Sequence, residues 1–462
     1  MNILMNYIFR RRIIVVLPLL TLFGCNAPKS HLAKFDNYIA SGNVEQACSF
    51  ARDRIHEKGS PRGQDLLWSL QLGSLERFQN RLNQSTQAFD TCENMMTHFD
   101  AQNSGLGHSV GSIAVNDNVV PYTGQVYDGV MVNTYKAFNF MAMGNPDLAR
   151  VEFNRALDRQ RRAKETFNKE IQQIRNEMAQ NENNALVQRT MDSPQFQNQL
   201  SSAYSTLEQF IVYPDFVNPF ATYAAGVFST IEGDYAKAID LFKESAGMLP
   251  ENSFVADDFK VLETSLDQNT AFPRTVWVFF ENGLGPVKTE SRLDLPLFIA
   301  TDDVRYVGIA LPKLEYRPAA LPYLDVQTAG VTFRTQFLAN MDSVVKTEFD
   351  KAFPAILTRA VISATAKAIG QAALEKNQNS STAAVIAAIY SFASTAADVR
   401  IWTMLPKNIQ LARIPMPADG SIQLLAPGRQ AIPVQIPDCN YAVVYVRIIN
   451  NQIGPNIEIM AF

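Results

Sequence analysis

Two rhythms of apolar residues divide this chain. From about residue 31 to 268 they recur at the helical period, within a larger repeat near 34 residues. The clearest unit is 219–252. Gly226 stands where two antiparallel helices pack closely, Gly233 ends the first helix, Ala238 lets the second approach, Phe242 fills the gap and Pro250 ends the unit. The same offsets recur at 130–163 with Phe140, Gly144, Ala149, Phe153 and Ala156, and at 66–98 with Leu72, Gly73, Leu82, Ser85, Phe89 and Cys92. A weaker unit opens with Tyr38, Gly42 and Ala47. Small residues at close contacts with large ones between them predict a tetratricopeptide-like solenoid over 25–268. Stacked helix pairs of that kind leave a concave face for partner segments.

Two insertions interrupt the array. Residues 103–129, rich in Gly, Ser and Asn, read as a loop that packs on the groove and presents Tyr122, Tyr127 and Asp128 as recognition candidates. Residues 157–191 read as a long polar helix. Its cluster of Arg159, Arg161, Arg162, Lys164 and Arg175 is either a solvated face or a contact for an acidic partner.

After Pro273 the period becomes two. Thr275 to Phe280 reads as a strand, 281–286 as a turn and Val287 to Ile299 as the returning edge. Further strands are predicted at 304–311, 323–328, 408–414, 421–426, 432–436 and 441–449, punctuated by prolines. That pattern suits a sandwich or small barrel over 269–462. An Ala-rich helical pair, 342–376 and 381–398, is inserted at 342–398; its second member is too short to cross a bilayer, which takes about 20 residues. The fold class is therefore α+β and multidomain.

The first 24 residues stand apart from both halves. Arg10, Arg11 and Arg12 precede the eleven-residue apolar run Ile13 to Phe23, and Leu22-Phe23-Gly24-Cys25 has the form of a lipobox. A cleaved signal at 1–24 with Cys25 carrying the lipid fits best; an ordinary secretory signal or an uncleaved anchor is the alternative. Several acyl chains on Cys25 would anchor the protein stably. Asn26 favours the outer membrane, with periplasmic or outer-membrane proteins as partners.

Charge and chemistry narrow the picture. The whole chain has 41 basic and 45 acidic residues, and removing the three signal arginines leaves 38 against 45, a balance of −7. This argues against nucleic acid as a partner. Cys48 and Cys92, both in the helical half, are either a disulfide or two small buried core residues, and Cys439 is the third thiol. The four histidines, His31, His56, His98 and His108, all precede the β-rich half, so a Ser-His-Asp device or histidine metal site confined to that half is excluded. Asp257-Asp258 and Asp302-Asp303 are adjacent pairs whose side chains point apart. No catalytic residue, metal site or cofactor is assigned.

Three stretches, Asn218 to Tyr223, Val276 to Lys288 and Asp398 to Pro406, resemble a family of uncharacterised bacterial lipoproteins that join tetratricopeptide repeats to a β-rich C-terminal region. The resemblance covers most of the mature chain and implies envelope localisation and scaffolding. The Glu281 to Lys288 turn and the Arg400 and Trp402 segment are the remaining recognition candidates; the alternative is a structural hairpin and a core tryptophan. The expected function is a non-catalytic scaffold holding a partner in the repeat groove. The competing expectation is a glycan- or lipid-binding module in the β-rich half.

Overall fold

The computed structural model describes residues 27–56, 64–103, 121–180, 184–205, 217–298, 304–376 and 396–462. The segment 1–26 with Cys25, His108, most of the 103–129 insertion and most of the expected second Ala-rich helix lie outside them.

Helices fill the first half: α1 (Ala27–Ala40), α2 (Val44–Arg52), α3 (Asp65–Phe78), α4 (Leu82–Asn103), α5 (Val126–Ala142), α6 (Pro146–Gln180), α7 (Asn184–Met191), α8 (Pro194–Tyr204), α9 (Pro219–Ile231), α10 (Tyr235–Met248) and α11 (Ser253–Asp267). Four pairs, α1–α2, α3–α4, α5–α6 and α9–α10, share one turn. Gly42, Asn80, Gly144 and Gly233 each take a left-handed φ between 56° and 80°. The next amide, of Asn43, Arg81, Asn145 or Asp234, bonds back over five residues at 2.8–2.9 Å. That combination closes a helix end and redirects the chain. Five residues past each turn a small side chain, Ala47, Ser85, Ala149 or Ala238, is fully buried. Gly73 and Gly226 bring backbone against aromatic rings: a Cβ there would lie 2.5 Å from Phe89 and 2.8 Å from Phe242. Successive pairs pack α2 on α3, α4 on α5 and α6 on α9.

The second half holds β1 (Thr275–Asn282), β2 (Val287–Phe298), β3 (Val304–Glu315), β4 (Asp325–Thr328), β5 (Val331–Arg334), β6 (Gln336–Asn340), α12 (Met341–Lys376), β7 (Asn408–Pro415), β8 (Ser421–Leu425), β9 (Ile432–Gln435), β10 (Tyr441–Ile448) and β11 (Asn456–Ala461). A five-stranded sheet runs β11-β10-β1-β7-β6, and a four-stranded sheet runs β5-β4-β8-β9. β1 and β10 are parallel while the other pairs in the larger sheet are antiparallel. The expected return from β1 into β2 is not made. Gly283, at φ +68°, hands its amide to Ile448, Gly285 hands its own to Leu405, and β2 instead forms a separate ribbon with β3.

Every residue of β1 is buried, because its two faces serve two cores. Val276, Val278 and Phe280 meet Val326, Leu424 and Val434 of the smaller sheet in one apolar cluster. Trp277 and Phe279 meet the helices: Phe279 packs on Phe138, Phe220 and Tyr223, with ring centroids 5.7–6.0 Å apart. The helical half and the larger sheet therefore share one continuous core, which runs from Leu32 to Met460. The expected boundary near 268 separates two kinds of secondary structure, not two cores. A smaller cluster joins α7, α8 and α12 to the β2–β3 ribbon through Val187, Phe196, Leu311 and Val361. Of the Ala-rich pair, α12 is a single helix as expected, and residues 396–398 are not helical.

Candidate functional site

The site builds up where the inner helices meet the sheet. Residues 396–406 form no regular element, yet Val399 to Leu405 are almost wholly buried between α3, α5 and the start of β2. A buried strap without secondary structure must have its backbone groups satisfied by side chains. Gln71 of α3 does much of this: its Nε2 donates to the Ile401 carbonyl (3.3 Å) and its Oε1 accepts from the Met404 amide (3.1 Å). Arg317 donates to the Gly285 carbonyl at 2.6 Å and to that of Thr403, and Thr403 Oγ1 donates to Asp36 (2.9 Å). Trp402 is the anchor. Its Nε1 donates to Ser74 Oγ (3.0 Å), and its ring lies against Phe89 and Tyr135, each 5.9 Å away.

Two charged groups flank the strap. At the start of α5, Asp128 accepts from Tyr122 Oη (2.6 Å) and the Gln125 amide (2.8 Å), while Glu348 of α12 accepts from the Val126 and Tyr127 amides (2.7 and 3.1 Å). Two carboxylates thus cap donors that an α-helix leaves free at its N-terminus. Burial pushes the Asp128 carboxyl up to about 6, against the opposing pull of those hydrogen bonds and of Lys288. Arg400 lies over the Tyr122 ring at 5.8 Å and is held by both oxygens of Asp398 at 2.8 Å. Burial alone would raise Asp398, but the hydrogen bonds from Arg400 keep it below the ordinary carboxylate value.

On the other flank Glu281 accepts from Tyr135 Oη (2.7 Å) and pairs with Arg447, its register partner across the parallel strands, at 3.5 Å. Arg77 of α3 bonds Glu458 of β11 (2.9 Å) and Asn139 (2.5 Å) and lies 4.7 Å from the centre of the Tyr445 ring. Arg77, Tyr135, Glu281, Met404, Tyr445 and Arg447 enclose a cavity of about 20 Å³, room for a single water molecule.

The sequence-based candidates therefore converge, but as an internal joint. Tyr122, Tyr127, Asp128, Glu281, Arg400 and Trp402 are all buried, and Lys288 is half-buried. Glu281 and Trp402 join helices to the sheet and the strap, Arg400 lies over Tyr122, and Asp128 caps the start of α5. Tyr127 and Asp128 lie in the first turn of α5, not in a loop. The strap lies against the inner faces of α3 and α5. Gln71, Arg77, Arg447 and Glu458 carry as much of the joint and were not singled out; polar Gln71 and Arg77 within the apolar run of α3 were the available signal. Cys48 and Cys92 are free and buried, with Cys48 Sγ donating to Gln79 Oε1 at 3.4 Å, so no disulfide joins them. The basic cluster on α6 is internally engaged where described: Arg159 bonds Asn133 at 2.8 Å, and Arg161 and Arg162 pair with Asp158. Among the described residues no group of His, Cys, Asp and Glu could hold a metal ion, and no helix is long and apolar enough to cross a membrane.

No family model, curated protein or solved structure matches the chain.

Proposed function

We propose that the chain is a lipid-anchored, non-catalytic scaffold of the bacterial cell envelope, which positions periplasmic or outer-membrane proteins. We read the four helix hairpins as tetratricopeptide-like, from their shared turn and the spacing of Gly73 to Phe89 and Gly226 to Phe242. The observation that carries the reading is the strap. The inner helices grip an extended segment through an amide side chain and an aromatic pocket, the manner in which such arrays hold peptides. Because that segment is the chain's own, partners meet the outer surface, where Leu148 and Val151 of α6 stand 42% exposed. The lipobox at Cys25 supplies the attachment, and the resemblance of the Val276 to Lys288 and Asp398 to Pro406 stretches supports the envelope setting.

The test has two arms. Cys25→Ser should release the protein from membranes or leave its signal uncleaved; normal processing with full retention in high salt would refute lipid anchoring. A photo-crosslinking residue at Leu148 or Val151 should give a discrete protein adduct in cells, and one at Trp402 should not. If adducts form at Trp402 alone, the groove opens and the assignment of the outer surface is wrong.

A further inference from the structure

The five- and four-stranded sheets end in four edge strands, and three of these are closed to further pairing. On β9, Ile436 donates to Gly420, and the alternation of the ladder from there puts Pro433, which has no amide proton, on the outer side. β6 is bulged between Phe337 and Ala339, and its Phe337 carbonyl accepts from Asn252 Nδ2 at 2.8 Å. β5 is four residues long and ends in Arg334. Proline, bulges, short length and charge are the devices by which a sheet refuses another strand.

β11 has none of them. It pairs with β10 on one side only. Tyr441 and Phe462 exchange both backbone bonds, at 3.1 and 2.8 Å. The alternation of an antiparallel ladder then turns the amides and carbonyls of Glu458 and Met460 inward, and those of Ile457, Ile459 and Ala461 outward. Among the described residues no hydrogen bond reaches the outward groups. Ile459 is 38% exposed, and Ala461 is exposed beside it.

The strand's own sequence fits this edge. An antiparallel neighbour must set outward groups against outward groups, and a second β11 does so in a register centred on Ile459. There Ile459 faces Ile459 and Ile457 faces Ala461. These side chains share a side with their register partners Val444, Val446 and Ala442, which are buried against the smaller sheet, so two copies join them into one apolar strip. Charge agrees with the pairing. Glu458, the one charged residue of β11, faces Met460 in this register, and it is already paired with Arg77 at 2.9 Å. An edge with no free charge gives a charged peptide nothing to select.

We propose that β11 pairs with β11 of a second copy of this chain, joining two five-stranded sheets edge to edge about a twofold axis at Ile459. Such a contact is self-complementary and closes at two copies. It lies apart from Leu148 and Val151 and stands or falls independently of the scaffold reading.

The test is sedimentation equilibrium of the full chain in density-matched detergent, which should give the mass of two chains at micromolar concentration. Ile459→Lys sets like charges directly opposite each other across the axis and should return the mass to one chain, with the circular dichroism of the parent. Ile459→Pro removes an amide proton that no bond within the chain uses, and should do the same. Oxidation reads the register. Directly opposed, bonded residues have Cα atoms about 5.5 Å apart, within disulfide reach, so Ile459→Cys should link to its copy beyond any background of the parent. Ile457→Cys, about 14 Å from its counterpart, should not. A one-chain mass for the parent, a two-chain mass that persists in both the lysine and proline variants, or no link at 459 would overturn the proposal.

Discussion

Replacing Trp402 with alanine tests whether the two halves form one cooperative body. The indole is almost fully buried between Phe89, Tyr135 and Ser74. Truncating such a side chain costs about 3–5 kcal/mol, and the lost hydrogen bond to Ser74 adds about 1 kcal/mol. Take the total as about 5 kcal/mol. Unfolding entropy is about 2.1 cal/mol/K per residue, so roughly 440 residues melting together give about 0.9 kcal/mol/K. The melting temperature should then fall by ~5 °C, in a single transition. If 270–462 melted alone, its roughly 190 residues would give about 0.4 kcal/mol/K and a drop of ~12 °C in one of two transitions. Differential scanning calorimetry of the full chain separates these cases. Two transitions, with only one displaced, would refute the shared core.

The pH dependence of stability should be acidophilic. Asp128 titrates normally when unfolded and near 6 when folded, so its stabilising contribution is full below about pH 3.8 and is lost as pH rises through 6. Moving from pH 7.5 to 5 should recover about 1.4 kcal/mol of a total of roughly 3 kcal/mol, read from the urea midpoint, with burial of Asp36, Asp258 and Asp342 acting in the same direction. An undiminished gain in Asp128→Asn would show that this carboxyl is not responsible. Gly73→Leu and Gly226→Leu should each cost at least about 1–3 kcal/mol by overpacking against Phe89 and Phe242; melting temperatures within a degree of the parent would contradict the hairpin contacts. Cys48 and Cys92 should react with a thiol reagent only after denaturation, since both are buried and burial pushes the Cys48 thiol up to about 12. Absence of those two thiols from the unfolded, unreduced protein would restore the disulfide.

Local pattern revealed most of the elements. The spacing of Gly226, Gly233, Ala238 and Phe242 located a hairpin, and period two located β1, β2, β3, β4, β7, β8, β9 and β10. Three strands were missed: β5 and β6 are only four and five residues long and separated by Thr335 alone, while β11 follows Gly454 and Pro455. The parallel pairing of β1 with β10 joins residues far apart in the chain, which periodicity does not encode. The burial of the site candidates was hidden for a related reason. Tyr122, Glu281, Arg400 and Trp402 carry chemistry suited to recognition, and local sequence does not say whether the surface they recognise belongs to another protein or to their own chain. Glu281 found Arg447, and Trp402 found Phe89 and Tyr135, only through tertiary contact.

The pairing of Arg77 with Glu458 also sets a timetable. The two residues are 381 positions apart, and Asn450 closes a comparable span by donating to the Ile39 carbonyl at 2.9 Å. At a synthesis rate of about 5–20 residues per second, roughly 20–80 seconds pass between the appearance of Arg77 and that of its carboxylate. For much of that interval the inner faces of α3 and α5 have neither strap nor sheet to cover them, and Arg77 lacks the Glu458 carboxylate. Early hairpins can form but cannot close. The nascent protein is thus a long-lived client with open apolar surface, dependent on being held until its last two strands arrive.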